Sequence, residues 1–397
     1  MPLITTRVTA ATDATLKNAP LTNAEIDQNF INLNNAITLS GDATGFVDRT
    51  TSTISFVDAT RTLTLSPVGA NFTIYYKGKA VLIDSAKTIT IANSSGSHYI
   101  YWDFTLNRLV DAGSNPNIRD NLLVAYIYWD AVGSTAVFFG DERHSVARDL
   151  SWHYYQHTTN GAIWKSGGDI TYTVNNTNNV TLLFTGPLVL ADEDLEHTIT
   201  HANIPTAQYE QQLSNTTAYL PVLYLSGTSY RQTAATNVPW YPSTSRAYYN
   251  SVVGGSGSLV TASADDTFIA YWVVLTNDTK LPVKLVMGRN AWTTYSDAET
   301  EDFESYGLPM PEMAPMYKVI LKTSSTYTQN TARVNIVGVR ELVGKQNARS
   351  NSFDTLSHNA LSDRNLSDQH SISSITNLQT TLDAISGSSI AMAIALG

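Results

Sequence analysis

The chain has 397 residues, of which 43% are hydrophobic, 10% aromatic and only 15% charged, and its formal net charge is -10. A chain of this length can bury a large core, and we expect two or more domains. The acidic balance argues against nucleic acid as a partner, because phosphate contacts need clustered lysine and arginine. Cysteine is absent, which excludes disulfides, thiolate metal sites and cysteine nucleophiles.

The first residues, MPLITTRVTAATDATLKNAP, lack the apolar core of a signal peptide, and no apolar stretch has the length of a membrane span. We therefore expect synthesis in a cytoplasm and no membrane insertion. Residues 1–43 contain one helix signal, a capping box formed by Thr22 and Glu25, with Gly41 as the stop. An apolar stripe follows at helical spacing: Ile26, Phe30, Leu33 and Ile37. It predicts either a helix docked on its own domain or an oligomerisation and attachment helix.

Residues 44–150 and 151–345 are each predicted as a β domain. In the first, short stretches with period-two alternation predict strands at 53–57, 63–65, 72–76, 88–91, 99–104 and 122–129. In the second, strands are predicted at 169–174, 180–184, 219–225, 267–275, 283–287, 317–322 and 332–339. Frequent turns between short strands favour antiparallel, sandwich-like domains. Tyr-Ile-Tyr-Trp-Asp occurs at both 99–103 and 126–130, and the acidic, proline-containing segment 296–316 is expected to be a surface loop.

Three histidines and an acidic run are the candidates for metal binding or acid–base chemistry. His144, His153 and His157 lack the tight spacing of a helical zinc motif, and His153 and His157 lie in an aromatic segment that we expect to be extended. A buried hydrogen-bonded network that pins two strands is the favoured interpretation, with no metal, cofactor or catalytic residue. A calcium or magnesium site is a weaker possibility, with these ligands: Asp192, Glu193, Asp194 and Glu196.

A glycoside hydrolase would need two carboxylates at a fixed separation. Asp192 with Glu196, or Glu299 with Asp302, are the candidate pairs. The short regular period typical of a parallel β-helix is missing from the sequence, and exposed acid clusters are usually solvated loops. The sequence therefore favours a protein that is not an enzyme.

Aromatic residues crowd the segment 219–250 among proline, serine and threonine. Exposed aromatics next to polar groups can bind sugar faces or protein partners. Core packing is the more economical interpretation, since strand faces also need aromatics. The candidates for a glycan or partner contact are Trp240, Tyr241, Tyr248 and Tyr249.

Residues 346–397 are predicted to be a polar linker that leads into a short oligomerisation helix. The apolar residues have spacings of three, four and three: Ile375, Leu378, Leu382 and Ile385. A helix this short is marginal by itself in water, so the stripe calls for copies of itself or another partner to cover it.

Several segments of the sequence resemble those of bacteriophage tail fibre proteins. The linker at 355–383 resembles a segment that joins a virion-proximal part to a trimeric shaft or tip, and residues 21–34 resemble the opening of many tail structural proteins. The runs 98–103, 140–144 and 191–194 are similar to a domain found across tail fibres, although Ser145 stands where glycine is usual and Gln156 where leucine is usual. The resemblance covers about 15–200 and 355–383. It implies a structural role in a virion tail without catalysis.

We therefore expect a mostly β homotrimer with short terminal helices. It would be a tail fibre or fibre adaptor, made in the bacterial host cytoplasm and located in the virion tail, that supports assembly and host attachment. Its expected partners are other tail or baseplate proteins and a further fibre protein at the C-terminus. The alternative is a glycan-binding receptor-recognition protein whose tip is 200–345, with host surface glycan as the ligand. A polysaccharide depolymerase ranks third.

Overall fold

The computed structural model describes residues 4–6, 14–16, 19–40, 43–114, 117–173, 179–200, 211–213, 217–240, 246–308, 313–328 and 331–342. Residues 1–346 form one compact unit, and 347–397 are grouped separately. The linker and the four predicted oligomerisation residues Ile375, Leu378, Leu382 and Ile385 therefore lie outside the described residues. The described part is mostly β, with several antiparallel sheets and few helices, which confirms the predicted fold class at that level.

The upstream elements begin with a short parallel pair and one long helix. In chain order they are β1 (Ile4–Thr6), β2 (Ala14–Leu16), α1 (Asn23–Ser40), β3 (Gly45–Phe46), β4 (Ser52–Val57), β5 (Thr62–Pro67), β6 (Phe72–Tyr76), β7 (Lys79–Ile83), β8 (Lys87–Thr90), β9 (Gly96–Asp103), β10 (Arg108–Ala112), β11 (Leu122–Asp130) and β12 (Thr135–Asp141).

The downstream elements contain two further helices and thirteen strands within the described residues. In chain order they are α2 (Leu150–Thr159), β13 (Ala162–Ser166), β14 (Asp169–Tyr172), β15 (Leu182–Thr185), β16 (Leu188–Asp192), β17 (Leu195–Ile199), β18 (Val222–Ser226), β19 (Ser229–Gln232), β20 (Tyr248–Val253), β21 (Ser256–Thr261), β22 (Phe268–Thr276), β23 (Val283–Met287), α3 (Tyr295–Thr300), β24 (Met313–Thr323) and β25 (Val334–Glu341).

Strands β3 to β12 form three sheets around one hydrophobic core. Their orders are β10-β9-β11-β12, β3-β6-β7 and β4-β5-β8. Period-two alternation produces the core directly: in β5, Leu63 and Leu65 are buried while Thr62 and Thr64 are half-buried. The two copies of Tyr-Ile-Tyr-Trp-Asp lie on neighbouring antiparallel strands, where Tyr99 is directly opposite Tyr126.

The downstream core is built on a six-stranded sheet of order β19-β18-β23-β22-β24-β25. All its neighbouring pairs are antiparallel except β18 and β23, which are parallel. Both faces of β22 and β23 are buried, which explains their near-continuous apolar sequences. One face packs on a large core that also includes Trp164 and Leu190 from the strands that follow α2.

A third hydrophobic cluster contains residues from both β regions. Tyr126 and Tyr128 of β11 and Phe138 of β12 belong to the same buried cluster as Leu223 of β18 and Trp272 of β22. The alternate residues of β11 belong instead to the upstream core. Strand β11 is therefore covered on both faces, and the two β regions share buried surface.

Two local predictions were wrong. The segment with His153 and His157 is not extended but forms the helix α2, because Asp149 caps its first turn. The segment 296–316 is not a plain surface loop: it contains most of α3, a 3-10 turn at Glu304–Tyr306 and the start of β24. Tyr306 of this segment is buried and packs edge-on against Trp272.

Every predicted strand overlaps an observed strand, and β6 and β23 match the predicted bounds. Within the described residues, no helix has the length and apolar character needed to cross a membrane.

Candidate functional site

The capping box predicted at the start of α1 is present. The Thr22 amide N donates to Glu25 Oε2 at 2.7 Å, and the Glu25 amide N donates to Thr22 Oγ1 at 3.3 Å. Each side chain therefore satisfies a backbone donor of the other residue, which confirms the prediction.

The apolar stripe of α1 faces solvent. Ile26 is 39% exposed, Phe30 67% and Leu33 46%. The side chain of Ile37 lies outside the described residues. Each of the three described members leaves more than a third of its surface open to solvent, although α1 contacts β1, and this exposure favours an attachment helix over a helix packed on its own domain. Burying them would require a partner or a second copy of the chain.

The aromatic candidates for a glycan contact lie mainly in the core. Trp240 is fully buried, its Nε1 donates to the carbonyl oxygen of Val180 at 2.8 Å, and its ring packs edge-on against Tyr271. A surface glycan cannot reach it, so the expected contact at Trp240 is wrong. Tyr248 and Tyr249 are half-buried and pack on the same core, and Tyr241 lies outside the described residues.

The two candidate carboxylate pairs have different surroundings. Asp192 is fully buried, whereas Glu196 on the next strand forms an ion pair with Lys165. Glu299 and Asp302 line a cavity that also contains Lys318, whose Nζ donates to the carbonyl oxygen of Glu299 at 2.6 Å.

Histidines and carboxylates from three distant segments meet in one partly buried cluster. His144 follows β12, His153 and His157 lie one turn apart on α2, and Glu193 and Asp194 form the two-residue turn between β16 and β17. Because residues four apart share a helix face, both α2 histidines point toward that turn. We call these five residues the histidine–carboxylate cluster.

Backbone contacts hold His144 in place. The Phe46 amide N donates to the carbonyl oxygen of His144 at 2.8 Å, and the Val146 amide N donates to that of Phe46 at 2.9 Å. Gly45 allows this close approach, because a Cβ on it would lie 2.6 Å from the Ser145 carbonyl carbon. Strand β3 therefore braces the segment that carries His144.

The turn and helix α2 place the other members. Glu193 adopts a left-handed conformation with φ of 51°, which reverses the chain between β16 and β17. Asp194 is oriented by the Ser145 amide N, which donates to its Oδ2 at 2.8 Å. Helix α2 starts at an N-cap, since Asp149 Oδ1 accepts from the Trp152 amide N at 2.7 Å.

Two short contacts dominate the histidine–carboxylate cluster. His144 Nδ1 lies 2.6 Å from Asp194 Oδ1, and His153 Nδ1 lies 2.6 Å from Glu193 Oε2. The cross distances, His144 Nδ1 to Glu193 Oε2 and His153 Nδ1 to Asp194 Oδ1, are both 3.9 Å. His157 Nδ1 lies 3.4 Å from Glu193 Oε1. One nitrogen or oxygen from each of His144, His153, Glu193 and Asp194 lies within 4.8 Å of the others.

Further polar groups surround this cluster. Glu142 Oε2 lies 3.5 Å from His144 Nε2, and the Asn277 amide donates to Glu142 at 3.3 Å and to Asp192 at 2.6 Å. Arg143 does not neutralise these acids, because its guanidinium forms two bonds with Asp141, at 2.8 and 2.6 Å. The cluster is therefore rich in carboxylates even though an arginine is adjacent in sequence.

Mutual contacts shift the pKa values of the cluster. Burial lowers the pKa of His144, but its hydrogen bonds with Asp194 and Glu142 outweigh burial and raise it well above its ordinary value. Burial raises the pKa of Glu193 and of Asp194, but the bonds from His153 and His144 respectively bring both below their ordinary values. Burial lowers the pKa of nearby His197 to about 4, because the charge of Asp141, which raises it, does not outweigh burial.

The arrangement can act as a hydrogen-bonded network or can hold a metal ion. The predicted network is present, although it joins a strand end, a helix and a turn rather than two strands. Sequence spacing could not reveal the convergence, because about fifty residues separate His144 from Asp194. The i, i+4 spacing of His153 and His157 is the signal in the sequence, and it places both rings on one face only when the segment is helical.

Comparison with known proteins gave no match. No protein-family model, no curated protein and no solved structure matches this chain.

Proposed function

We propose that the protein is a structural component of a bacteriophage tail, either a fibre or a fibre adaptor, that supports virion assembly and host attachment. The observation that carries the proposal is the capped helix α1, which presents Ile26, Phe30 and Leu33 to solvent. A helix with one exposed apolar stripe is suited to insertion into a partner or to self-association.

The β-rich body and the sequence resemblance support the same proposal. Sandwich-like β domains, a polar linker and a short apolar heptad are the parts expected of a fibre protein. In this proposal α1 attaches the chain to a tail or baseplate protein, and the stripe at 375–385 makes a homotrimer. A further fibre protein could then follow at the C-terminus. The chain would reach the virion tail after synthesis in the host cytoplasm.

The glycan-binding alternative loses support because Trp240 is in the core. Within the described residues, no arrangement of side chains favours glycan binding over the structural role.

The mass of the purified protein tests the trimer. Light scattering should give three times the chain mass of 43.3 kDa for the full chain. A form that ends at residue 345 lacks the apolar heptad, so its measured mass should be less than three times the mass of its own chain. A monomeric full chain at micromolar concentration would contradict the trimer.

Attachment is tested separately with α1. Antibodies against the β body should label the tail in electron micrographs of virions from lysates in which the gene is expressed. Phe30→Asp should abolish incorporation into virions, because a charge in the exposed stripe opposes burial. Val132→Asp is the matched control, since Val132 is equally apolar and 71% exposed but lies on a turn of the β body. Equal incorporation of the two variants would refute the role of α1.

A further inference from the structure

We propose that the histidine–carboxylate cluster binds one divalent transition-metal ion, Zn²⁺ or an ion of similar preference. The ligand atoms would be His144 Nδ1, His153 Nδ1, Glu193 Oε2 and Asp194 Oδ1. The inference does not depend on the role of the protein in a virion.

The ligand geometry is the first argument. Bonds of about 2.0–2.2 Å from zinc to nitrogen and oxygen place tetrahedral ligand atoms roughly 3.3 Å apart. The two short contacts of 2.6 Å and the two cross distances of 3.9 Å lie on either side of this separation. Side-chain shifts of less than about 1 Å would therefore complete the site.

The second argument is the orientation of the two histidine rings. His153 Nε2 lies 3.4 Å from the carbonyl oxygen of Ser145, and His144 Nε2 lies 3.5 Å from Glu142 Oε2. Each Nδ1 also faces a carboxylate oxygen at 2.6 Å, so a metal ion would displace the Nδ1 proton. The acceptor beyond Nε2 would then hold the remaining proton of the ring and leave the Nδ1 lone pair for the ion. Metal-binding histidines are held by this arrangement of a second acceptor.

The negative charge of the carboxylates also favours a bound cation. Glu142, Glu193 and Asp194 have only histidines as ion-pair partners in the part of the chain that the structure describes. Glu142 and Glu193 are nearly inaccessible to solvent, and buried carboxylates need a compensating cation. Without an ion, protonated histidines supply that charge, and one divalent ion would take the place of their Nδ1 protons at the centre of the cluster.

The chemistry of the ligands selects the ion. Two imidazole nitrogens with two carboxylate oxygens suit zinc and neighbouring transition metals, whereas calcium and magnesium prefer oxygen alone. His157, 3.4 Å from Glu193 Oε1, would orient that carboxylate. A cavity of about 50 Å³ lined by Glu142 and the three histidines gives an ion and its water a path to the site.

The bound ion would join three segments that are far apart in the sequence. It would connect the end of β12, the helix α2 and the β16–β17 turn, so its role would be structural. Its removal should loosen the contact between α2 and that turn.

Zinc binding to the full chain, purified without a polyhistidine tag and stripped with a chelator, tests the proposal. Calorimetric titration with Zn²⁺ should give one site per chain, and the melting temperature should rise by a few degrees in excess Zn²⁺. Co²⁺ should give the visible absorption bands of a tetrahedral site, and a tenfold excess of Ca²⁺ or Mg²⁺ should not displace Zn²⁺.

Variants assign the site. Glu193→Gln keeps the size and hydrogen-bonding capacity of the side chain, and it should weaken Zn²⁺ binding at least 100-fold, as should His153→Ala. His98→Gln is the matched control, because His98 is a buried histidine 2.8 Å from a carboxylate outside the cluster, and it should leave Zn²⁺ affinity unchanged. Circular dichroism establishes that each variant is folded.

Several outcomes would overturn the proposal. They are the absence of stoichiometric Zn²⁺ binding, equal affinity in wild-type protein and folded Glu193→Gln, or equal competition by Ca²⁺. Any of these would leave the cluster as a network of protonated histidines and carboxylates. None of them would bear on the mass of the protein or on the attachment role of α1.

Discussion

At the residue scale, both ring nitrogens of His98 face hydrogen-bond acceptors. Nδ1 lies 2.8 Å from Asp111 Oδ2, and Nε2 lies 3.3 Å from the carbonyl oxygen of Ser94. Only the imidazolium form can donate to both. Burial lowers the pKa of His98, but its bond with Asp111 and the charge of that carboxylate raise it above the ordinary value.

We predict that this pair makes the free energy of unfolding depend on pH. Because the pKa is raised in the folded state, the contribution is complete below about pH 6.5 and is lost as pH rises through the folded-state pKa. The destabilisation caused by His98→Gln should therefore be larger by about 1 kcal/mol at acidic pH than at alkaline pH. Urea denaturation at pH values on both sides of this range measures the difference.

Ser97→Ala is the control for this prediction. Ser97 precedes His98 in β9, and its Oγ lies 2.8 Å from Tyr126 Oη. Its substitution removes a hydrogen bond but no group that titrates between acidic and alkaline pH in this experiment. Its effect should be equal at both pH values. A pH-independent effect of His98→Gln would show that the histidine is neutral in the folded protein.

At the element scale, helix α2 shows what residue patterns could not predict. Trp152, Tyr154 and Tyr155 are aromatic and favour strands, so their intrinsic preference pointed away from a helix. The N-cap Asp149 was the local signal for one. By contrast, β6 and β23 were predicted to the residue, because alternation in β6 and a continuous apolar run in β23 directly reflect which faces are buried.

We predict that the cap stabilises α2 by about 1 kcal/mol. Asp149→Ala removes the acceptor for the Trp152 amide and should lower the free energy of unfolding by that amount in urea denaturation. Asp149→Asn retains a capping oxygen and should behave like wild type within a few tenths of a kcal/mol. If the alanine variant were as stable as the asparagine variant, the cap would have no energetic role.

The histidine–carboxylate cluster could not be predicted for a related reason. Its members come from a strand end, a helix and a turn, and only tertiary packing brings them together. The residue types were identified from the sequence, including His144, His153 and Glu193. Their convergence depends on the close contact of Gly45 in β3 with the backbone of Ser145, and on the β16–β17 turn. The spacing of residues along the sequence predicts neither feature.

At the scale of the whole molecule, the third hydrophobic cluster couples the two β regions. Tyr128 Oη of β11 accepts from the Tyr230 amide N at 3.0 Å, and Tyr230 Oη donates to the carbonyl oxygen of Tyr306 at 2.9 Å. All three tyrosines are buried. This chain of bonds extends from the upstream sheet through β19 to the 3-10 turn that follows α3.

We predict that the two β regions unfold in one cooperative transition. Tyr128→Phe leaves the buried Tyr230 amide without its acceptor and should lower the free energy of unfolding by about 1–2 kcal/mol. Hydrogen exchange should show equal loss of protection in β9 and in β22, because both depend on the shared cluster.

Tyr76→Phe is the control for the shared cluster. Tyr76 Oη bonds to the carbonyl oxygen of Asp120 in an exposed position, so its loss should change stability by less than about 0.5 kcal/mol. Loss of protection confined to the upstream strands in Tyr128→Phe would show that the regions unfold independently.

Strand β11 has a consequence for how this protein can exchange parts with others. From Ala125 to Trp129 its odd-numbered side chains belong to the core made by the upstream strands, whereas Tyr126 and Tyr128 belong to the cluster shared with the downstream sheet. Consider a chimaera that joins this chain, up to the end of β12, to the downstream half of another protein. In it, residues of the other protein would have to pack against Tyr126, Tyr128 and Phe138. Such a graft will fold only if the donor half brings surfaces shaped for these three rings. A cut before β9 would instead divide the upstream core, so neither position leaves both cores intact.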